Sequence, residues 1–218
     1  MAILCGCRHI NEPHSNSSIT RAWYTFVKDP LALIVIMLWP VVPLFWIPVH
    51  GLSRIFKGLG LFTYIMPLLT WLPLAYLIYQ NRLFLLQFKI NLPLPVQILG
   101  VILLVIGTLL HIWTGKLLGL WGLIGLPEVS RKAKERLVTE GPFSLVRHPT
   151  YLAHSIMFSG IFFMTEVMVV GILTFTDFII VNAVIIPLEE RELLSRFGRD
   201  YEAYMKRMPY RFFPYLRG

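Results

Sequence analysis

Apolar runs of roughly twenty residues, parted by short polar stretches, set the pattern of this chain. A helix of that length rises about 30 Å, the thickness of a hydrocarbon core. Leu31 to about His50 is the first such run, uncharged and holding Pro40, Pro43 and Pro48, so a kinked helix is expected. Gly51 to Gly58, with Arg54 and Lys57, reads as a short turn before a second run, Leu59 to Tyr79, broken by Pro67 and Pro73. Gln80 to Pro95 is a polar connection. A third run, Val96 to about Leu120, places His111, Trp113 and Lys116 in its last turns, where lysine and tryptophan suit a membrane interface. Thr150 to about Gly171 and Ile172 to Pro187 are the fourth and fifth. Glu189 to Met208 then changes rhythm, with Leu193, Leu194, Phe197, Tyr201, Tyr204, Met205 and Met208 on one helical face and charges on the other. The pattern predicts an all-α integral membrane protein. About five transmembrane helices are expected, with a C-terminal amphipathic helix across one mouth as a lid or interfacial anchor.

Composition agrees. Of 218 residues 56% are hydrophobic and only 15% charged, against about 25% charged in soluble domains. The net charge of +8 is concentrated, with 12 of the 20 Lys and Arg between Arg131 and Arg217. Membrane orientation and anionic headgroups account for those bases, and no nucleic-acid partner is implied. The charged loop at 127–149 and the C-terminal tail are therefore expected in the cytoplasm, while the turn between the last two spans carries only Glu166 and Asp177 at its flanks. Cys5 and Cys7 cannot form a disulfide framework, and with His9 and His14 they suit a solvated tail better than a metal site. The first 28 residues lack a signal-peptide layout, Asn16-Ser17-Ser18 is a glycosylation sequon, and the chain ends without a prenylation motif. Gly115, Gly119, Gly122 and Gly125 recur at three or four residues, a rhythm that serves either close helix packing or backbone approach to a ligand.

Ionisable groups at the edge of lipid-buried segments point to function. They gather in Glu140-Gly-Pro-Phe-Ser-Leu-Val-Arg-His-Pro-Thr-Tyr151 and in Pro187-Leu-Glu-Glu190. The apolar stretch between Tyr151 and Glu189 is long enough for two crossings, which returns Glu189 and Glu190 to the face where Arg147 and His148 lie. Taken singly, each has a plainer role. Arg147 suits a topology determinant, the glutamates suit helix N-terminal charges, His111 and His154 suit helix packing, and Tyr201 and Tyr204 suit interface aromatics.

Gly141-Pro-Phe, Arg147-His-Pro-Thr-Tyr151, the apolar hairpin, Glu189-Glu190 and then Leu193, Phe197-Gly198, Tyr201 and Tyr204 stand in an order that resembles the isoprenylcysteine carboxyl methyltransferase family. That family belongs to the wider group of integral-membrane methyltransferases that includes phospholipid N-methyltransferases. The likeness covers roughly residues 100–214 and sets residues 96–218, a methyltransferase core, apart from an N-terminal tail and two accessory helices in 1–95. It implies S-adenosyl-L-methionine as cofactor, S-adenosyl-L-homocysteine as product, and a lipophilic or lipid-linked acceptor entering from the bilayer. His148, Tyr151, Glu189 and Glu190 are implied as cofactor-pocket residues, with Leu137, Val138 and Gly141 lining the pocket by backbone and Tyr201 and Tyr204 in the lid. No metal is implied. The residue types suit that cofactor: glutamate for ribose or ammonium, histidine or arginine for the carboxylate, aromatics for adenine and sulfonium. No strand followed by a glycine-rich turn supports a Rossmann site.

Carboxyl O-methylation of an isoprenylcysteine-like acceptor is the leading expectation. A carboxylate needs alignment and a cation, for which Arg147 is the candidate. An amine or thiol would need a base, for which Glu190 or His154 serves. Amine N-methylation of a phospholipid, thiol S-methylation, a sterol-type reductase, a transporter and a membrane scaffold with a decayed site are the alternatives. The protein is expected in the plasma membrane if prokaryotic and in the endoplasmic reticulum if eukaryotic, with the site facing the cytoplasm.

Overall fold

A computed structural model describes residues 24–123, 125 and 136–212. Cys5, Cys7, the sequon, residues 127–135 of the charged loop and the last six residues lie outside the described residues. Helices account for most of the described residues, with no strand among them beyond one isolated bridge between Lys89 and Val167. A π-helical turn, Tyr24–Lys28, leads into α1 (Asp29–Leu38), and α2 (Val41–Gly51) follows. Next come α3 (Ser53–Leu59), a 3-10 turn (Gly60–Tyr64), α4 (Ile65–Gln80) and α5 (Arg82–Leu86). The core begins with α6 (Leu94–Leu123) and continues after a 3-10 turn (Gly141–Ser144) with α7 (Pro149–Thr165). Then α8 (Met168–Ile180), a π-helical turn (Val181–Ile185) and α9 (Ile186–Phe197) run on as one stack, and α10 (Arg199–Arg207) closes the chain.

Among the described residues, four helical stretches are long and apolar enough to cross a membrane: Phe26–Gly51, Ile55–Gln80, Leu94–Gly119 and Met168–Phe197. The remaining expected span, the fourth, corresponds to α7, which has 17 residues, a rise of about 25 Å. It lies along α6 at very close range. A Cβ added to Gly160 would fall 2.6 Å from the Gly100 carbonyl oxygen, and one on Gly107 would fall 2.6 Å from Met157 Cγ. Small residues therefore set this contact, but they are not those of the 115–125 rhythm. Ala32, Val35 and Ile36 of α1 pack with Phe158, Ile161, Val167 and Val170, which seats the first helix on the hairpin.

Three boundaries differ from the sequence pattern. The turn between the last two spans is at Glu166, not between Gly171 and Ile172. Glu166 adopts a left-handed conformation (φ 63°), and its buried carboxylate accepts from Lys28 Nζ (2.8 Å), the Leu92 amide (2.8 Å) and Gln97 Nε2 (3.2 Å). That network satisfies an otherwise costly charge and ends the helix. Gly171 instead lies inside α8, where the Phe162 ring occupies the space a side chain would need. Gly51 to Gly58 is mostly helix, not turn. The expected single helix from Glu189 to Met208 is two: its first part continues the last span without a break, and Gly198 (φ 50°) separates it from α10. Only a glycine takes that conformation without strain.

Candidate functional site

His148 caps the N-terminus of α7, and the chain before it is held by the C-terminal segment. The Arg147 amide donates to the Tyr210 carbonyl (2.8 Å) and the His148 amide to that of Arg211 (3.1 Å). Arg147 also donates from Nη1 to the Met208 carbonyl (2.8 Å). Its Nε and Nη2 both reach Glu190 Oε1, at 3.0 and 2.8 Å. Arg211 Nη2 reaches Glu190 Oε2 at 2.6 Å, and His148 Nε2 lies 3.3 Å from Oε1. One carboxylate on α9 thus gathers two guanidiniums and an imidazole, and draws residues 208–212 onto the start of α7.

Glu189, one residue earlier, is turned about 100° around the helix and faces a cavity of about 620 Å³. That volume is ample for a drug-sized or cofactor-sized ligand. Glu189, Leu193, Arg196 and Phe197 recur on one face of α9, Tyr151 and His154 on one face of α7, and Arg147 and His148 border the cavity just before α7. Leu137 and Val138 line the cavity from the loop, and Tyr201 and Tyr204 cover it from α10. Of the residues singled out from the sequence, Glu190 and Gly141 do not line it. Glu190 is spent on the cation cluster, and Gly141 (φ 61°) packs against Leu117 and Trp113 of α6.

The Tyr201 hydroxyl is buried without a hydrogen-bond partner among the described residues, and Glu189 Oε2 lies 3.6 Å from Nδ1 of His148, longer than a good hydrogen bond. Buried polar atoms of that kind are costly unless a ligand completes them. Tyr204 is satisfied, donating to the Phe143 carbonyl at 2.7 Å and so docking α10 on the 3-10 turn. Burial, and then the charges of Glu190 and Glu189, push the Tyr201 hydroxyl above its usual value of 10. Burial raises Tyr204 to about 12. Both remain neutral hydroxyls at neutral pH. For His148, burial disfavours the charged form. Hydrogen bonds and charges from Glu189 and Glu190 more than offset it, leaving the imidazole above its ordinary 6.5.

Several lining residues escaped the sequence pattern. Val42 and Trp46 come from α2, Leu117 and Leu118 from α6, and Arg136 from the loop. Gly119 breaks the helical conformation (φ 72°) with open space where a side chain would stand, so it serves the cavity and not helix packing. Arg196 was detectable: it follows Glu189 by two helical turns on the same face. The cavity combines an acid, cations, neutral hydroxyls and aromatic rings, a set that suits a zwitterionic ligand with an aromatic part.

Residues 96–212 match the family profile described as Phospholipid methyltransferase. Among curated proteins, the cobalt-zinc-cadmium resistance protein CzcN of Cupriavidus metallidurans is 35% identical over 88 residues, 40% of this chain and 40% of that protein. Protein-S-isoprenylcysteine O-methyltransferase B of Arabidopsis thaliana is 35% identical over 88 residues, 38% of this chain and 43% of its own. The nickel-cobalt-cadmium resistance protein NccN of Alcaligenes xylosoxydans xylosoxydans is 33% identical over 88 residues, 40% of each chain. The chain thus spans less than half the length of these relatives. No solved structure matches it.

Proposed function

Because the chain belongs to the phospholipid methyltransferase family, we propose that it transfers a methyl group from S-adenosyl-L-methionine to an acceptor carried on a lipid tail, releasing S-adenosyl-L-homocysteine. The observation that carries this reading is the cavity at the hairpin mouth, where the Glu189 carboxylate, loosely paired with His148, and the unpartnered Tyr201 hydroxyl stand beside aromatic and cationic side chains. Those groups fit the cofactor. Glu189, positioned by His148, would accept from its ammonium or ribose hydroxyls, Arg196 would meet its carboxylate, and Tyr151, Tyr201 and Tyr204 would flank adenine and sulfonium. When bound, S-adenosylmethionine supplies a methyl group on a cationic sulfur, open to in-line displacement. The chain's part is to align the acceptor, exclude water and hold the acceptor's charge. The positive-inside pattern supports placing the mouth in the cytoplasm.

Two acceptor chemistries follow. Carboxyl O-methylation of an isoprenylcysteine-like acceptor is supported by the Arabidopsis relative. Arg147, the candidate cation for that carboxylate, is engaged by Glu190 and Met208, and Arg196 on the same cavity wall is held by Glu192 at 3.0 Å. Amine or thiol methylation is supported by His154, an imidazole on the cavity wall. The test is transfer from radiolabelled donor, with the protein in lipid nanodiscs, to a farnesylated cysteine and to phosphatidylethanolamine. Organic-extractable label that disappears in Glu189→Ala supports the reading. Folded wild type that neither binds donor nor labels any acceptor refutes it.

A further inference from the structure

Near the middle of the hairpin, three helices converge on a carboxylate that the mouth does not use. Asp177 lies on α8, roughly 14 Å of helix beyond Met168, and is 1% exposed. An ionisable group at that depth is expensive and marks function unless it merely joins helices. Its Oδ1 accepts from the indole of Trp39, at the end of α1, at 3.0 Å. Its Oδ2 faces His154 Nε2 on α7 at 3.5 Å. Neither of these two atoms has a hydrogen-bond partner among the described residues. Two orphaned buried atoms facing each other, a few tenths of an ångström beyond a good hydrogen bond, are completed by one proton on Nε2. That fixes Nδ1, the ring nitrogen not turned to Asp177, as the bare acceptor. The His154 ring leans on Phe158 (centroids 4.1 Å apart) and lines the same cavity as Glu189. Asp177 from α8 and His111 from α6 are the titratable groups that face it, and His148, Tyr151, Glu189 and Arg196 share the cavity.

Resting on the methyl-transfer reading above, we infer that His154 and Asp177 form a proton-accepting pair and that the methyl acceptor is a nucleophile that sheds a proton, an amine or a thiol. The acceptor's lone pair forms the new bond to the methyl carbon while the carbon–sulfur bond breaks and its pair passes to sulfur. The acceptor's proton passes to His154 Nδ1, and the resulting imidazolium is balanced by the Asp177 carboxylate. Asp177 touches no reacting atom and is a positioning residue. Trp39 fixes the carboxylate that orients the imidazole.

The test compares wild type, Asp177→Asn, Asp177→Glu and His154→Gln in nanodiscs with phosphatidylethanolamine, a lipid-tailed thiol and a farnesylated cysteine carboxylate. Asparagine keeps the acceptor for Trp39 and removes the charge. For whichever proton-bearing acceptor wild type uses, Asp177→Asn and His154→Gln are expected to lower kcat at least about 100-fold, the lower range for general base catalysis. KM and calorimetric affinity for S-adenosylhomocysteine stay within about two-fold. The acidic limb of kcat/KM moves to lower pH in Asp177→Asn, and Asp177→Glu restores part of the rate. Independently of turnover, ¹⁵N spectra of histidine-labelled protein show His154 protonated at Nε2 and bare at Nδ1 in wild type, a preference lost in Asp177→Asn. The inference is overturned if Asp177→Asn keeps kcat within about three-fold at every pH, or if wild type methylates the carboxylate alone. Wild type that binds no donor and labels nothing would overturn the methyl-transfer reading itself.

Discussion

Replacing Glu190 with glutamine removes one charge from the mouth and leaves the side chain's shape. Arg147 and Glu190 are both buried, their side chains 6% and 5% exposed. Loss of one partner from a buried pair strands the other charge, at a cost of about 3–5 kcal/mol. Arg147 would keep its bond to the Met208 carbonyl, so the lower end, about 3 kcal/mol, is expected. Arg211 adds little, because its side chain is 48% exposed and its pairing is screened. A loss of that size lowers the thermal midpoint of a chain this long by roughly 6–12 °C. Tryptophan fluorescence of detergent-solubilised protein, scanned at fixed pH and salt, reads it. Removing both charges, as Arg147→Met with Glu190→Gln, is expected to recover part of the loss, since no charge is then buried alone. A shift below about 2 °C for Glu190→Gln, or strict additivity in the double variant, would refute the view of Glu190 as the clasp between α7, α9 and the C-terminal segment.

Other outcomes are equally direct. His148 holds its proton more tightly folded than unfolded, so its contribution to stability is whole below about pH 6.5 and is lost as pH rises through the folded value. The thermal midpoint of wild type should therefore exceed that of His148→Asn by most at low pH, and the gap should narrow as pH increases. Gly160→Ala would bring a Cβ within 2.6 Å of the Gly100 carbonyl oxygen, and thermal scans should show about 1–3 kcal/mol of lost stability as α6 and α7 are forced apart. Tyr204→Phe removes the 2.7 Å bond to the Phe143 carbonyl. A loss of about 1–3 kcal/mol is expected, with faster proteolysis near Gly198 as the sign that α10 has loosened.

Much of the fold was legible because hydrocarbon thickness and helical rise leave few ways to arrange apolar runs of this length. The pairing of Arg147 and His148 with Glu189 and Glu190 also followed, since a hairpin must return to the face it left. What the pattern hid depends on side-chain partners that no periodicity records. The turn at Glu166 sits inside an apolar run and is fixed by Lys28 and Gln97, residues distant in sequence. The division of labour between Glu189 and Glu190 arises from a rotation of one residue, visible only once the continuous helix through Pro187 is seen. Trp46 and Val42 reach the cavity from a segment outside the family match, and nothing in their local sequence marks them. Asp177 looked like the flank of a turn because that turn was placed five residues late.

We propose the cavity between α7, α9 and α10 as the methyl-donor site. Calorimetric titration of S-adenosyl-L-homocysteine into detergent-solubilised full-length protein, beside Glu189→Gln, tests it most directly. Saturable micromolar binding by wild type and a loss of ten-fold or more in the variant, about 1.4 kcal/mol, are expected. Equal affinity in the two proteins would move the donor elsewhere, and no binding by folded wild type would contradict the account outright.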